Sequence, residues 1–216
     1  MPRVTSSQVL VAARKIFASA PLGARLLQSL RPYICPFEAL LLHVPEGAHV
    51  LDAGCGAGLF LGLVASFDPA ARGHGFDTSS AAISAAERMA VTAKLSDRLR
   101  FELWNATQDW PACEVDVVSL IDVLHHVPVT NHRSVIETAL SRLKPGGVLI
   151  YKDMVCKPAW RAEWNRLHDL VLARQWINYR PIEDVNNWAR AAGAMQVAHG
   201  SVATGPYGHE YSVFRV

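Results

Sequence analysis

Nothing in this chain of 216 residues marks it as strongly basic, acidic or membrane-spanning. Lys and Arg number 21 against 19 Asp and Glu, a formal net charge of +2. So slight an excess gives no support for a partner that tracks a nucleic-acid backbone. No apolar run approaches the roughly 18 residues needed to cross a bilayer. Arg14 and Lys15 interrupt the N-terminal apolar pattern, so a secretory leader is not expected and a cytoplasmic protein is. Only four cysteines occur, Cys35, Cys55, Cys113 and Cys156, and none forms a CxxC pair. That excludes the usual disulfide frame and zinc spacing and leaves reduced thiols as the reading. Internal repeats and low-complexity tracts are missing as well. Half the residues are hydrophobic, however, so the chain can bury a sizeable core.

The most informative residues present are VLDAGCGAG, 50–58, and the later acid Asp77 in GHGFDTS. An apolar run ends in an acid, a glycine-rich turn opens a helix, and a second acid follows about 20 residues on. This is the layout of a nucleoside-cofactor site on a doubly wound sheet. Asp52 narrows it. A dinucleotide would bring a pyrophosphate to the turn, and a carboxylate there repels it. S-adenosylmethionine brings a sulfonium and an amino group, which a carboxylate attracts. Gly54, Gly56 and Gly58 form G-x-G-x-G, and Leu59 stands where the dinucleotide fingerprint wants glycine or alanine. A nicotinamide oxidoreductase is disfavoured on both counts.

Strands are expected at 49–53, 72–77, 98–104, 115–122 and 146–153, with helices at 57–66, 79–93 (a serine cap at its start) and 131–143 between them. Alternation with apolar strands implies a parallel sheet buried on both faces, an α/β fold. KPGG, 144–147, reads as a helix stop and a turn. Beyond it come a tryptophan-rich helix at 158–175, a helix at 181–192 stopped by Gly193, and two closing strands in MQVAHGS and HEYSVFRV. Ahead of the core, helices at 6–19, capped by Ser6 or Ser7, at 22–30, and from Pro36 to before Pro45 form a helical cap. The expected division is a cap, 1–45, and one structural unit, 46–216. An amphipathic, basic first helix resting on a membrane surface is the less favoured reading of that cap.

Four segments, VLDAGCGAG, GFDTS, VDVVSLIDVLHHVP and LKPGGVLIYKD, stand in the order found in class I S-adenosylmethionine-dependent methyltransferases, which this chain resembles over roughly 46–153. The resemblance implies a Rossmann-like sheet of seven strands in the order 3-2-1-4-5-7-6, strand 7 antiparallel. It also implies S-adenosylmethionine as cofactor. Carried over residue by residue, Asp52 meets the methionine amino group. Gly54, Cys55, Gly56 and Gly58 form the turn the cofactor approaches. Asp77 accepts from the ribose hydroxyls, and Thr78 begins the adenine edge. Asn105 stands where the family usually has an acid facing the adenine amino group, and its amide oxygen can still accept that bond. Asp122 and Val123 line the channel to the sulfonium.

The catalytic candidates are His125, His126 and His168. A histidine near neutrality is a useful base toward a hydroxyl. A divalent metal on Asp122, His125 and His126 is an alternative, since ubiquinone-pathway O-methyltransferases are similar here with acid, acid and His; the preferred reading has no metal. Trp176 and Tyr179 could stack on a planar acceptor. RPYICPFE, 31–38, weakly resembles methyltransferases of polyketide and aryl-polyene pathways. The expectation is therefore transfer to a small-molecule acceptor, aromatic or apolar, with a hydroxyl oxygen receiving the methyl. Transfer to carbon or nitrogen and a catalytically silent cofactor-binding protein stay open, and neither nucleic acid nor a particular oligomer is implied.

Overall fold

The computed structural model describes residues 3–111, 113–155, 180–204 and 207–216. The chain opens with three helices, α1 (Ser6–Ile16), α2 (Leu22–Ile34) and α3 (Phe37–Leu41). The cap of α1 is Thr5, one residue before the serines expected there. Its hydroxyl accepts from the Gln8 amide, and the Gln8 side chain accepts from the Thr5 amide at 2.8 Å. A glutamine three residues on makes that reciprocal pair available to Thr5. Helix α2 runs past the expected end at 30 and includes Pro32. Pro32 falls in the last turn, where its missing N–H removes only a single bond.

The core then alternates: β1 (His49–Ala53), α4 (Leu59–Phe67), β2 (Arg72–Asp77), α5 (Ser80–Thr92), β3 (Leu99–Leu103), β4 (Val115–Ile121), α6 (His132–Ser141) and β5 (Leu143–Met154). Ser79 caps α5, accepting from the Ala82 amide at 3.2 Å. After the next described residues come α7 (Ile182–Ala191), β6 (Met195–Thr204) and β7 (Tyr207–Arg215). The strands form one seven-stranded sheet in the order β3-β2-β1-β4-β5-β7-β6. The first five are parallel, and β7 runs antiparallel to both β5 and β6. This is the order that the resemblance implied.

Alternation along each strand explains why both faces are dry. Val50 and Val117 face a core shared with α1, α4 and α5, whereas Leu51 and Val118 face a core shared with α6 and α7. Val9, Ala13 and Ile16 of α1 belong to the first core, so that face of the helix packs on the protein. A Cβ at Gly62 would come within 2.8 Å of Ile16, which is how closely α1 lies on α4. Among the described residues no helix is long and apolar enough to cross a membrane.

KPGG is less a turn than an interruption inside a long strand. The β4–β5 ladder pairs Val115 with Leu143 and then Val117 with Val148, so the intervening residues of β5 bulge out. The Gly146 amide donates to the Val216 carbonyl, and the Val216 amide donates to the Gly147 carbonyl. The last residue of the chain thereby clamps the bulge.

Candidate active site

Parallel strands that end together leave a crevice at their carboxyl ends, between loops that part to opposite faces of the sheet. Here that crevice is a cleft of about 720 Å³. Gly54, Gly56, Asp77, Thr78, Asn105, Asp122, Val123, His125 and His126 line it, all of them expected from the sequence. Arg31, Ile34, Cys35, Trp104, Met154 and His209 are among the other residues of its wall.

The glycines of the turn serve different ends. A Cβ at Gly54 would strike the Val123 side chain at 2.5 Å, so its smallness lets the turn after β1 pack on the turn after β4. Gly58 has φ +78 and caps α4, and a Cβ there would run into Phe101 and Met89 below 3 Å. It is a packing residue and does not line the cleft. At Gly56, φ is +54 and a Cβ would meet nothing within 4 Å. Its bare backbone therefore faces open cleft. Cys55 is buried, its Sγ against Gly75 of β2, and burial pushes its thiol far above the usual range. It supports the turn from behind.

Asp77 closes the turn from the next strand. One carboxylate oxygen accepts from the Gly56 amide and the other from the Ser79 amide, each at 2.9 Å. A carboxylate offers about four lone-pair sites, so each oxygen keeps one for a ligand. Trp104 stands beyond it, its ring nitrogen donating to the Asp109 carbonyl and its face partly open. Asn105 differs from expectation. Its amide oxygen already accepts from both the amide and the hydroxyl of Thr107, at 2.9 and 3.0 Å. Both lone pairs are engaged, so what Asn105 has left to offer a ligand is its N–H₂ donors.

Asp52 lies under the turn and not in the cleft. It accepts from the Ser119 hydroxyl at 2.6 Å inside the sheet. Burial raises its pKa to about 7, against the opposing pull of Ser119 and Arg31.

At the other end of the cleft Asp122 holds two cations. Lys152, fully buried on β5, reaches one oxygen at 2.5 Å, and Arg31 of α2 reaches the other at 3.3 Å. Burial alone would raise the carboxyl, but Lys152 and then Arg31 overcome it and hold it far below the usual carboxylate range. The Asp122 amide also donates to the Lys152 carbonyl, with φ +58. Three residues along, Nδ1 of His125 and a carboxyl oxygen of Asp153 lie 2.5 Å apart, both side chains nearly inaccessible. The rings of His125 and His126 lie 4.2 Å apart, tilted by 51°. Among the described residues no three His, Cys, Asp or Glu side chains converge as metal ligands do. Asp122 turns to its cations and His125 to Asp153. His168, with Trp176 and Tyr179, lies outside the described residues.

Arg31 and Trp104 were missed as site residues. Arg31 stands 91 positions before the carboxylate it pairs with, and no local pattern links them. Trp104 reads as the end of a strand, and only the topology shows that strand ends open onto a cleft.

A family model described as a methyltransferase domain matches residues 26–199 of the chain. A trans-aconitate 2-methyltransferase of Pseudomonas paraeruginosa is 33% identical over 145 residues, 67% of this chain and 47% of that protein. The chain thus spans about half the length of that relative. Two solved structures share the fold. An O-methyltransferase family protein from Burkholderia thailandensis has a TM-score of 0.69 at 24% identity, over 88% of this chain and 58% of that one. An O-methyltransferase from neocarzinostatin biosynthesis, in complex with S-adenosylmethionine and 2-hydroxy-5-methyl naphthoic acid, has a TM-score of 0.67 at 18% identity, over 93% and 60%.

Proposed function

The chain belongs to the class I S-adenosylmethionine-dependent methyltransferases, and on that premise we propose that it methylates a hydroxyl oxygen of a small, aromatic or polyketide-type acceptor. The cofactor is S-adenosylmethionine, which supplies a methyl group on a positively charged sulfur. One observation carries the placement of its nucleoside: the bare Gly56 backbone faces open cleft beside a carboxylate with a lone pair left on each oxygen.

Asp77 receives the ribose hydroxyls on those lone pairs. Thr78, Trp104 and the Asn105 N–H₂ surround the base. The acceptor end is built for removing a proton. Asp153 fixes His125 in the tautomer whose Nε2 carries the lone pair, and that nitrogen takes the acceptor proton as the oxygen becomes methylated. Alignment and exclusion of water supply the rest of the barrier reduction. Residues 1–45 act as the cap over this end, a reading supported by Arg31, Ile34 and Cys35 on the wall of the cleft. Oxygen is favoured over carbon or nitrogen because a carboxylate-oriented histidine suits a hydroxyl. The naphthoic acid bound by the neocarzinostatin enzyme makes an aromatic hydroxy compound a reasonable acceptor class.

Calorimetry with S-adenosylhomocysteine tests the cofactor site. Asp77→Ala should weaken binding by about 2–3 kcal/mol, roughly thirty- to a hundred-and-fiftyfold. Unchanged affinity would sink the assignment. Labelled methyl transfer to hydroxylated aromatics, with the bond located in the product, separates oxygen from carbon or nitrogen transfer.

A further inference from the structure

A third histidine in the cleft, beside His125 and His126, has no part in the mechanism above. His209 sits on β7 opposite Met154 of β5, and both residues line the cleft. Its side chain is almost wholly inaccessible, at 1% exposure, yet neither ring nitrogen has a hydrogen-bond partner among the described residues. Buried polar atoms are nearly always satisfied, so two orphans on one ring facing a cleft point to a bound group that completes them.

The surroundings state what that group is. Burial first, and then the Lys152 ammonium, push the ring down to about 4, against Asp122 and Asp153; Arg31 adds to the lowering. The imidazole is therefore neutral near pH 7, with one N–H donor and one lone pair. A hydroxyl, which can donate to the lone pair or accept from the N–H, completes either nitrogen; a methyl or ring edge completes neither. His125 is already oriented by Asp153 toward proton removal. His125 and His209 both line the cleft, and Asp153, the partner of His125, directly precedes the Met154 that faces His209 across the β5–β7 ladder.

We propose that His209 is the specificity residue of the acceptor end: it hydrogen-bonds a second oxygen function of the acceptor, so that the enzyme selects molecules bearing a hydroxyl beside the one that is methylated. This rests on the methyl-transfer reading and names its substrate class.

The experiment uses the full chain saturated with S-adenosylhomocysteine and imidazole-labelled with nitrogen-15. Catechol and phenol are the probes. Catechol should shift the His209 ring resonances saturably, those signals being assigned by their loss in His209→Phe. His209→Phe should weaken catechol about tenfold and leave phenol and S-adenosylhomocysteine unchanged. His209→Gln keeps a donor and an acceptor and should recover part of the loss; it also serves if the phenylalanine variant does not fold. Catechol that fails to bind, leaves the ring signals unmoved, or binds no better than phenol overturns the proposal; the last is the result if a water alone satisfies the ring. If S-adenosylhomocysteine itself does not bind, the failure belongs to the methyltransferase reading instead.

Discussion

Two residues apart in one turn, Gly56 and Gly58 separate binding from folding under the proposed function. Both adopt positive φ, so alanine at either costs about 1–2 kcal/mol of backbone strain. Only at Gly58 does the added carbon also strike Phe101 and Met89. Gly58→Ala should therefore lower the unfolding temperature by clearly more than Gly56→Ala. Gly56→Ala should instead lose most affinity for S-adenosylhomocysteine while keeping near-native circular dichroism. Thermal melts and calorimetry on the pair decide it, and equal losses in both measurements would contradict the division. Sequence spacing shows that three glycines stand here. It does not show which faces a ligand, because that depends on Phe101, Met89 and Val123 from distant elements.

Among the elements, the end of β4 is tied to β5 and to α2 through one carboxylate. Asp122→Ala would leave the Lys152 ammonium buried with no counter-charge from this position. Breaking a buried pair from one side costs about 3–5 kcal/mol. The double variant Asp122→Ala with Lys152→Met should regain much of that stability. Chemical denaturation of the single and double variants checks the coupling; additive losses would show that the two residues act independently. Element positions were largely legible. The strands at 49–53 and 72–77 follow from apolar runs bounded by turn residues, and Ser79 announces α5. Three details were not. Thr5 outcompetes the serines through Gln8, Pro32 is absorbed in a last turn, and the KPGG bulge is stabilised by Val216, a partner remote in sequence.

At the scale of the whole molecule, stability depends on pH through the floor of the sheet. Asp52 holds its proton in the fold up to about pH 7, whereas an unfolded aspartate releases it near about 3.9. The folded protein binds more protons across that window, so raising pH through it removes stability, and the loss is complete above pH 7. Asn at 52 keeps an oxygen for the Ser119 hydroxyl and has no proton to lose. Asp52→Asn should thus match the natural chain near pH 4 and exceed it above pH 7, by no more than about 4 kcal/mol. Denaturation across pH 4–8 tests this; a constant difference would place the burden elsewhere. The depressed Asp122 acts oppositely. It stabilises above the unfolded carboxylate range, and that contribution is lost as pH falls below it. The sheet order was legible through family resemblance. The contrast between Asp52 and Asp122 was not, since only their neighbours decide which carboxyl is raised and which is lowered.

The left-handed backbone at Asp122 carries an evolutionary consequence. At φ +58 the position accepts glycine, asparagine or aspartate with least strain. The buried ammonium of Lys152 accepts only an acid. The two lists overlap at aspartate alone. No single substitution here is neutral, and a lineage drifting toward an uncharged acceptor end must change residues 122 and 152 together or cross a damaged intermediate. This corner of the cleft is thus a ratchet: surrounding loops can diversify toward new acceptors while it stays fixed.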